Sequence, residues 1–331
     1  ALWQRDLSIG LERIAGLRLR AGAVDEALAA HDEALRIRRQ LSAAAPNDAQ
    51  ALRDVSVSLN HIGEIELRAG RTEAARDALG QGLTITRRLA ASDPGNTLWQ
   101  RDLAIGLNKL GDVELRAGSA SAAMAVYEES LRISRRLGAA DPGNTEWQRD
   151  IAYSLNKIGD LSRALGDLPA AQAAFDEALE ITRTLAATDP GNTDWQRDIA
   201  ISLERVGDLA LQRGARETAE AAHRESMTIR RALVATDPGN AQWQRDLALG
   251  LDRMGDLQRL AGDTAAALAA HEEALRITRA LVAMDPQNTL GQRSLAVTLN
   301  KIPNVTTIIR EGARALNPEL KAMAQVFRMR R

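Results

Sequence analysis

Trp147-Gln148-Arg149-Asp150 opens a stretch that closes at Asp189-Pro190-Gly191-Asn192-Thr193, and what lies between them decides the fold. From Trp147 to Gly166, apolar residues fall at Ile151, Leu155, Ile158, Leu161 and Leu165, the three-and-four spacing of one helix face. This is helix A. After Gly166-Asp167-Leu168-Pro169, the positions Ala171, Ala174, Phe175, Ala178, Leu179, Ile181 and Leu185 trace a second amphipathic helix, helix B. Pro190 cannot continue a helix and Gly191 permits the reversal, so the stretch is a helical hairpin with a marked end.

Working outward, the same text returns at a fixed interval. Trp3, Trp99, Trp147, Trp195 and Trp243 are separated by 96, 48, 48 and 48 residues. The missing member falls at Ala51, within Ala51-Leu52-Arg53-Asp54, and the next falls at Gly291. Seven repeats therefore begin near residues 3, 51, 99, 147, 195, 243 and 291. Thr97 with Gln100, Thr145 with Gln148, Thr193 with Gln196 and Thr289 with Gln292 have capping-box spacing, which predicts a threonine cap on helix A. Ala241 interrupts that pattern and leaves Asn240 as its substitute. One hairpin cannot bury both its faces, whereas stacked neighbours can, so the array is expected to be stabilised by contacts between successive repeats.

Within each repeat, small and large residues alternate between the two helices. A central glycine recurs as Gly63, Gly111, Gly159, Gly207 and Gly255, with Ala15 in the first repeat. A small residue early in helix B recurs as Ala27, Ala75, Ala123, Ala171, Ala219 and Ala267. The run Leu155-Asn156-Lys157-Ile158-Gly159-Asp160, followed by Gly166, Ala171, Phe175 and Ala178, resembles the tetratricopeptide signature. The departure is length: the family's usual unit is about 34 residues, with a proline closing helix B early. Here Arg183 occupies that place and both helices gain about two turns. The Trp-Gln-Arg-Asp and Asp-Pro-Gly-Asn text is similar to a bacterial class of such repeats, in which arrays are joined to effector domains. The resemblance covers residues 1 to 302. It implies an all-α, right-handed superhelical solenoid with a concave groove lined by helix A, and a role in binding proteins rather than in catalysis.

Composition is consistent with that reading. Nine aromatic residues in 331 are few for an enzyme core. The net charge of -1 comes from 43 basic and 44 acidic residues spread along the chain, without the basic footprint that nucleic acid requires. No stretch approaches the roughly 18 apolar residues of a membrane span, and there are no cysteines for disulfides or thiolate chemistry. A cytoplasmic protein with no cofactor and no metal is expected. No phosphate loop, zincin helix or nucleophile arrangement is present in the text.

The candidate binding residues lie around the central glycine. By the resemblance, Asn60, Asn108, Asn156 and Asn300 project into the groove, with Glu12, Glu204 and Asp252 at the same place in other repeats. Amides both donate and accept, which suits an extended peptide backbone. Asp112, Asp160, Asp208 and Asp256, with Glu64, would favour a basic ligand, unless Lys109, Lys157, Arg205 and Arg253 neutralise them as i,i+3 pairs. Trp99, Trp147, Trp195 and Trp243 are read as packing between repeats, together with Gly111, Gly159, Gly207 and Gly255. The once-per-repeat Arg-Asp dipeptide is read as ion pairing between neighbours. His31, His223 and His271 stand at the large position of helix B, where other repeats have Tyr127 and Phe175, so they are read as core residues. Only His61 lies elsewhere, and no ligand cluster is visible in the text.

Pro303 falls where a central glycine belongs and should end helix A near Ile302. Residues 303–331 are unrelated to the repeat, with the apolar run Val305–Ile309 and an expected helix after Asn317-Pro318, a candidate polar cap for the array. Ala1 precedes the first repeat by two residues without an initiator Met, so the sequence is expected to be a piece of something larger. An uncapped first repeat would accept either a preceding segment or a second copy stacked end to end as a filament.

Overall fold

A computed structural model describes residues 2–20, 22–285 and 289–301. Among them the chain forms thirteen α-helices: α1 (Leu2–Arg20), α2 (Val24–Ala44), α3 (Ala49–Arg68), α4 (Thr72–Ser92), α5 (Thr97–Arg116), α6 (Ala120–Ala140), α7 (Thr145–Ala164), α8 (Leu168–Thr188), α9 (Thr193–Gln212), α10 (Arg216–Thr236), α11 (Ala241–Leu260), α12 (Thr264–Met284) and α13 (Thr289–Lys301). Odd-numbered helices are the A helices and even-numbered ones the B helices. The proline break at Pro303 and the expected cap over 303–331 lie outside the described residues.

The start of helix A corrects the threonine-cap expectation. The capping residue is the asparagine of Asp-Pro-Gly-Asn: Asn96, Asn144, Asn192 and Asn240 accept the backbone N–H of Trp99, Trp147, Trp195 and Trp243, each at 3.2 Å. Asp48 does the same for Gln50 and Ala51. The threonine is already the first helical residue, so the amide three beyond the cap belongs to Trp rather than Gln. The glutamine reaches back instead: Gln148, Gln196 and Gln244 donate to the carbonyls of Pro142, Pro190 and Pro238, and Gln100 to that of Ala90. Helix A ends in a Schellman turn. In the third repeat Gly118 N–H bonds Leu115 O and Ser119 N–H bonds Glu114 O, with Gly118 at φ 82°, a conformation that glycine adopts without a Cβ penalty.

Within a hairpin the central glycine is required by close approach. A Cβ on Gly111 would stand 2.3 Å from Tyr127 Cε1, on Gly159 2.4 Å from Phe175 Cε1, on Gly63 2.5 Å from Leu79 Cγ, and on Gly255 2.7 Å from His271 Cε1. The large residue of helix B thus lies flat on the backbone of helix A. Between hairpins the core is apolar: Leu83, Leu103, Leu107, Ile133 and Leu137 cluster with Trp99 and Trp147 packed against them, joining the second, third and fourth repeats.

The chain divides into two compact units between Ala215 and Arg216. In the first, α1 to α9 pack as A–B hairpins with each B helix against the next A helix. In the second, α10 to α13 repeat that arrangement.

Candidate interaction site

Ion pairs join neighbouring repeats along three lines. At the front of helix A, four arginines meet the aspartate of the next repeat: Arg5–Asp54 at 3.2 Å, Arg53–Asp102 at 2.5 Å, Arg101–Asp150 and Arg149–Asp198 at 2.6 Å. The expected pairing between neighbours is thus present. On helix B, Arg87–Glu129 at 2.7 Å, Arg135–Glu177 at 2.7 Å and Arg231–Glu273 at 2.8 Å form a second line.

The third line corrects the i,i+3 expectation. Lys109 pairs with Glu64 at 3.1 Å, Lys157 with Asp112 at 2.6 Å, Arg205 with Asp160 at 3.0 Å and Lys301 with Asp256 at 2.7 Å. Each cation reaches back to the previous repeat, not along its own helix. On its own helix the acid lies C-terminal to the base, the weaker order for a helical pair, while the neighbouring A helix presents a carboxylate across the gap. Asp208 has Arg163 Nη1 at 4.0 Å. Asp112 also accepts from Tyr127 Oη at 2.6 Å; burial, followed by this bond, pushes the Tyr127 phenol up from its ordinary value. The acidic stripe is therefore compensated, which removes its bias toward a basic ligand.

The asparagines lie at different depths. Asn60 and Asn108 are buried and Asn156 is half-buried, whereas Asn300 is exposed. Asn108 Nδ2 donates to Ser154 Oγ at 3.0 Å, but the enclosed Oδ1 atoms of Asn60, Asn108 and Asn156 have no hydrogen-bond partner. Such unmet acceptors cost free energy unless a ligand or water donates to them.

A stripe that the sequence reading missed runs beside them. Ile9, Val57, Ile105, Tyr153, Ile201, Leu249 and Val297 stand 48 residues apart; Ile9, Tyr153, Leu249 and Val297 are 38% to 50% exposed, and Val57, Ile105 and Ile201 are half-buried. The signal that marks it is the 48-residue period of apolar residues on the less buried side of helix A. Consecutive members line two clefts. One, of about 260 Å³, is lined by Ile105 and Tyr153 with Asn108, Asp112, Ala104 and Ser134. The other, of about 200 Å³, is lined by Leu249 and Val297 with Asp252, Ala248 and Thr278. Apart from Asp112, these are the same positions three repeats on. Lys157 Nζ lies 5.3 Å from the centre of the Tyr153 ring and fixes its face.

Residues 151–189 match the family model of the tetratricopeptide repeat. The match supports a tetratricopeptide family. No curated protein sequence matches the chain. Among solved structures, BtubC from P. vanneervenii is similar over 78% of this chain and 92% of its own, at TM-score 0.61 and 19% identity. The tetratricopeptide-like repeats of a kinesin light chain from Podosopora anserina cover 71% of this chain and 98% of their own, at TM-score 0.50 and 14% identity. A signal-transduction ATPase with a tetratricopeptide repeat sensor from Pyrococcus horikoshii covers 93% of this chain and 43% of its own, at TM-score 0.54 and 13% identity. The fold is accordingly an all-α helical-repeat solenoid. Tetratricopeptide repeats generally mediate protein–protein interaction and are generally non-catalytic. Among the described residues no helix is long and apolar enough to cross a membrane.

The structure also brings together residues that the sequence left apart. Glu12, His31 and His61, from α1, α2 and α3, each offer one ligand atom within 4.8 Å of the others. His31 is buried with the core, as expected of its register, yet a ligand cluster exists where none was visible in the text.

Proposed function

We propose that this chain is a non-catalytic interaction scaffold that holds an extended peptide segment, from a partner or an attached domain, on its helix-A face. The observation that carries this reading is the recurrence of one cleft in two places, each time between successive members of the exposed apolar stripe. An apolar side chain of the ligand would enter the cleft between Ile105 and Tyr153, beside Asn108. The carboxylates Asp112, Asp160 and Asp256 act mainly through their cations, holding adjacent A helices at a fixed separation.

The test selects peptides from a random displayed library on the wild-type chain and measures their affinity by fluorescence anisotropy. Ile105→Arg and Tyr153→Arg should each weaken binding at least tenfold, while Arg135→Ala on the helix-B line should leave it unchanged. Equal affinity for all three variants, or no selectable peptide, would overturn the reading.

A second reading, end-to-end assembly, is favoured by α1. Leu7, Ile14 and Leu17 are 44%, 45% and 60% exposed, although the equivalent Val55, Ile62 and Ile65 are buried. A second copy stacked there would cover them, as would a further hairpin of a longer chain serving as a sensor array. Light scattering across a concentration range separates these cases: mass that grows with concentration and collapses in Leu7→Glu/Leu17→Glu supports assembly, and constant monomer mass excludes it.

A further inference from the structure

The meeting of Glu12, His31 and His61 departs from the repeat at several registers at once. Position 61 is Lys or Arg in every other repeat (Arg13, Lys109, Lys157, Arg205, Arg253, Lys301), and its usual partner in the preceding repeat is an acid (Glu64, Asp112, Asp160, Asp208, Asp256). At the first junction both members change together: the cation becomes His61 and the acid becomes Gly16. Released from that pairing, His61 turns to Glu12, with Nδ1 3.6 Å from Oε1, and its ring centroid lies 5.6 Å from that of His31. His31 is only 5% exposed, and its Nδ1 and that of His61 are enclosed without hydrogen-bond partners. A buried imidazole nitrogen with nothing to bond is costly to fold, and two of them beside one carboxylate ask for a shared partner.

We infer that Glu12, His31 and His61 bind a divalent transition-metal ion of the zinc class. Two imidazoles and one carboxylate form a set that zinc accepts in tetrahedral geometry, with a fourth position left for water or a side chain of a ligand. Bonds of about 2.0–2.1 Å place ligand atoms about 3.3 Å apart, so the present separations close with small side-chain rotations. The carboxylate is already oriented. Arg38, itself buried, donates to Oε1 at 2.6 Å and to Oε2 at 2.8 Å, and also to Ser58 Oγ at 2.7 Å and the Asp54 carbonyl at 3.1 Å. Ser58 Oγ also donates to Oε1, at 3.3 Å, so of the carboxylate's four or so acceptor positions it is Oε2, which accepts from Arg38 alone among the described residues, that keeps a lone pair for the ion. The ion would clamp α1, α2 and α3, tying the first hairpin to the second.

The full chain, stripped with a chelator, is titrated with Zn²⁺ by calorimetry and with Co²⁺ by visible d–d absorption. Wild type should bind one ion per chain, with a tetrahedral Co²⁺ spectrum and a raised Tm. His61→Lys carries the side chain usual at that register, and Glu12→Asn/Arg38→Thr carries the Asn60 and Thr86 of the second repeat, so both should fold; each should weaken affinity at least tenfold. His271→Phe, matching Phe175, should bind as wild type does. Absence of binding by wild type, undiminished affinity in His61→Lys, or loss of affinity in His271→Phe alone would overturn the proposal.

Discussion

Two histidines occupy the same register five repeats apart, and their surroundings differ in an instructive way. His271 is pinned: its Nδ1 lies 3.0 Å from Asp252 Oδ1, Thr298 Oγ1 donates to the other oxygen at 2.6 Å, and Lys301 pairs with Asp256. The ring lies directly on Gly255. His31 faces Glu12 in place of Asp252, Gly16 in place of Asp256 and His61 in place of Lys301, with Ala15 where Gly255 stands. The longer Glu12 side chain is held by Arg38, and the imidazole keeps a free Nδ1. One scaffold thus gives an imidazole whose Nδ1 is paired to a carboxylate and whose Nε2 alone is enclosed without a hydrogen bond at one register, and an imidazole with an unpaired Nδ1 at the other, through a few substitutions on three helices.

The largest way to break this comparison is Glu12→Gln. It leaves the buried Arg38 guanidinium without its counter-charge, and removing one member of such a pair costs about 3 kcal/mol. Chemical denaturation at pH 7 reads it. The same carboxyl governs acid stability: its folded value of about 2 lies below the unfolded 4.5, so the stabilisation is complete above pH 4.5 and is lost as pH falls toward 2. His31, lowered in the fold, adds a loss as pH drops below its ordinary 6.5, because the unfolded chain takes up that proton first. Glu12→Gln should flatten the first limb and His31→Leu the second. Unchanged limbs would show that neither group is linked to folding.

At the His271 register, Asp252→Ala should cost about 2 kcal/mol, since it strands a buried imidazole Nδ1 and the Thr298 hydroxyl. The glycine beneath offers a smaller and more discriminating test. Gly255→Ala gains about 1 kcal/mol of helix propensity but sets a Cβ 2.7 Å from a ring that cannot move, an overpacking cost of about 1–3 kcal/mol. The net effect should be destabilising by about 1 kcal/mol. If Gly255→Ala stabilises the chain, His271 is not pinned as described.

How much of this was legible follows from the distance over which each feature is specified. The hairpins, their length and the small residue under the large one are local or strictly periodic, so Gly159 and Phe175 declared themselves. The cap went to Asn144 rather than Thr145 because both carry a suitable oxygen and the text alone does not fix which residue first turns helical. The cation line was read along Lys157–Asp160 because sequence spacing shows neighbours on one helix and not on the next. Glu12, His31 and His61 come from three helices with no shared motif, and the signal that existed was the paired departure at Gly16 and His61. For the interaction face, the Asn register was visible, but the burial of Asn60 and Asn108 was not.

The smallest expected effect tests the cation line itself. Lys157 is half-buried between Tyr153 and Asp112; burial opposes its charge, and those two groups raise it above the ordinary lysine value. Pairs of this exposure contribute about 0.5 kcal/mol and weaken with salt. The first junction lacks the pair, and Gly16 has open space around it for a side chain. Gly16→Asp and His61→Lys should therefore couple favourably, by about 0.5 kcal/mol in a double-mutant cycle at low salt. The cycle cancels the helix-propensity gain of replacing glycine and the loss of the His61–Glu12 contact, which each single variant carries alone. Coupling that vanishes at low salt as well as high would mean that the register does not carry the line, and that Lys109, Lys157 and Lys301 find their carboxylates for separate local reasons.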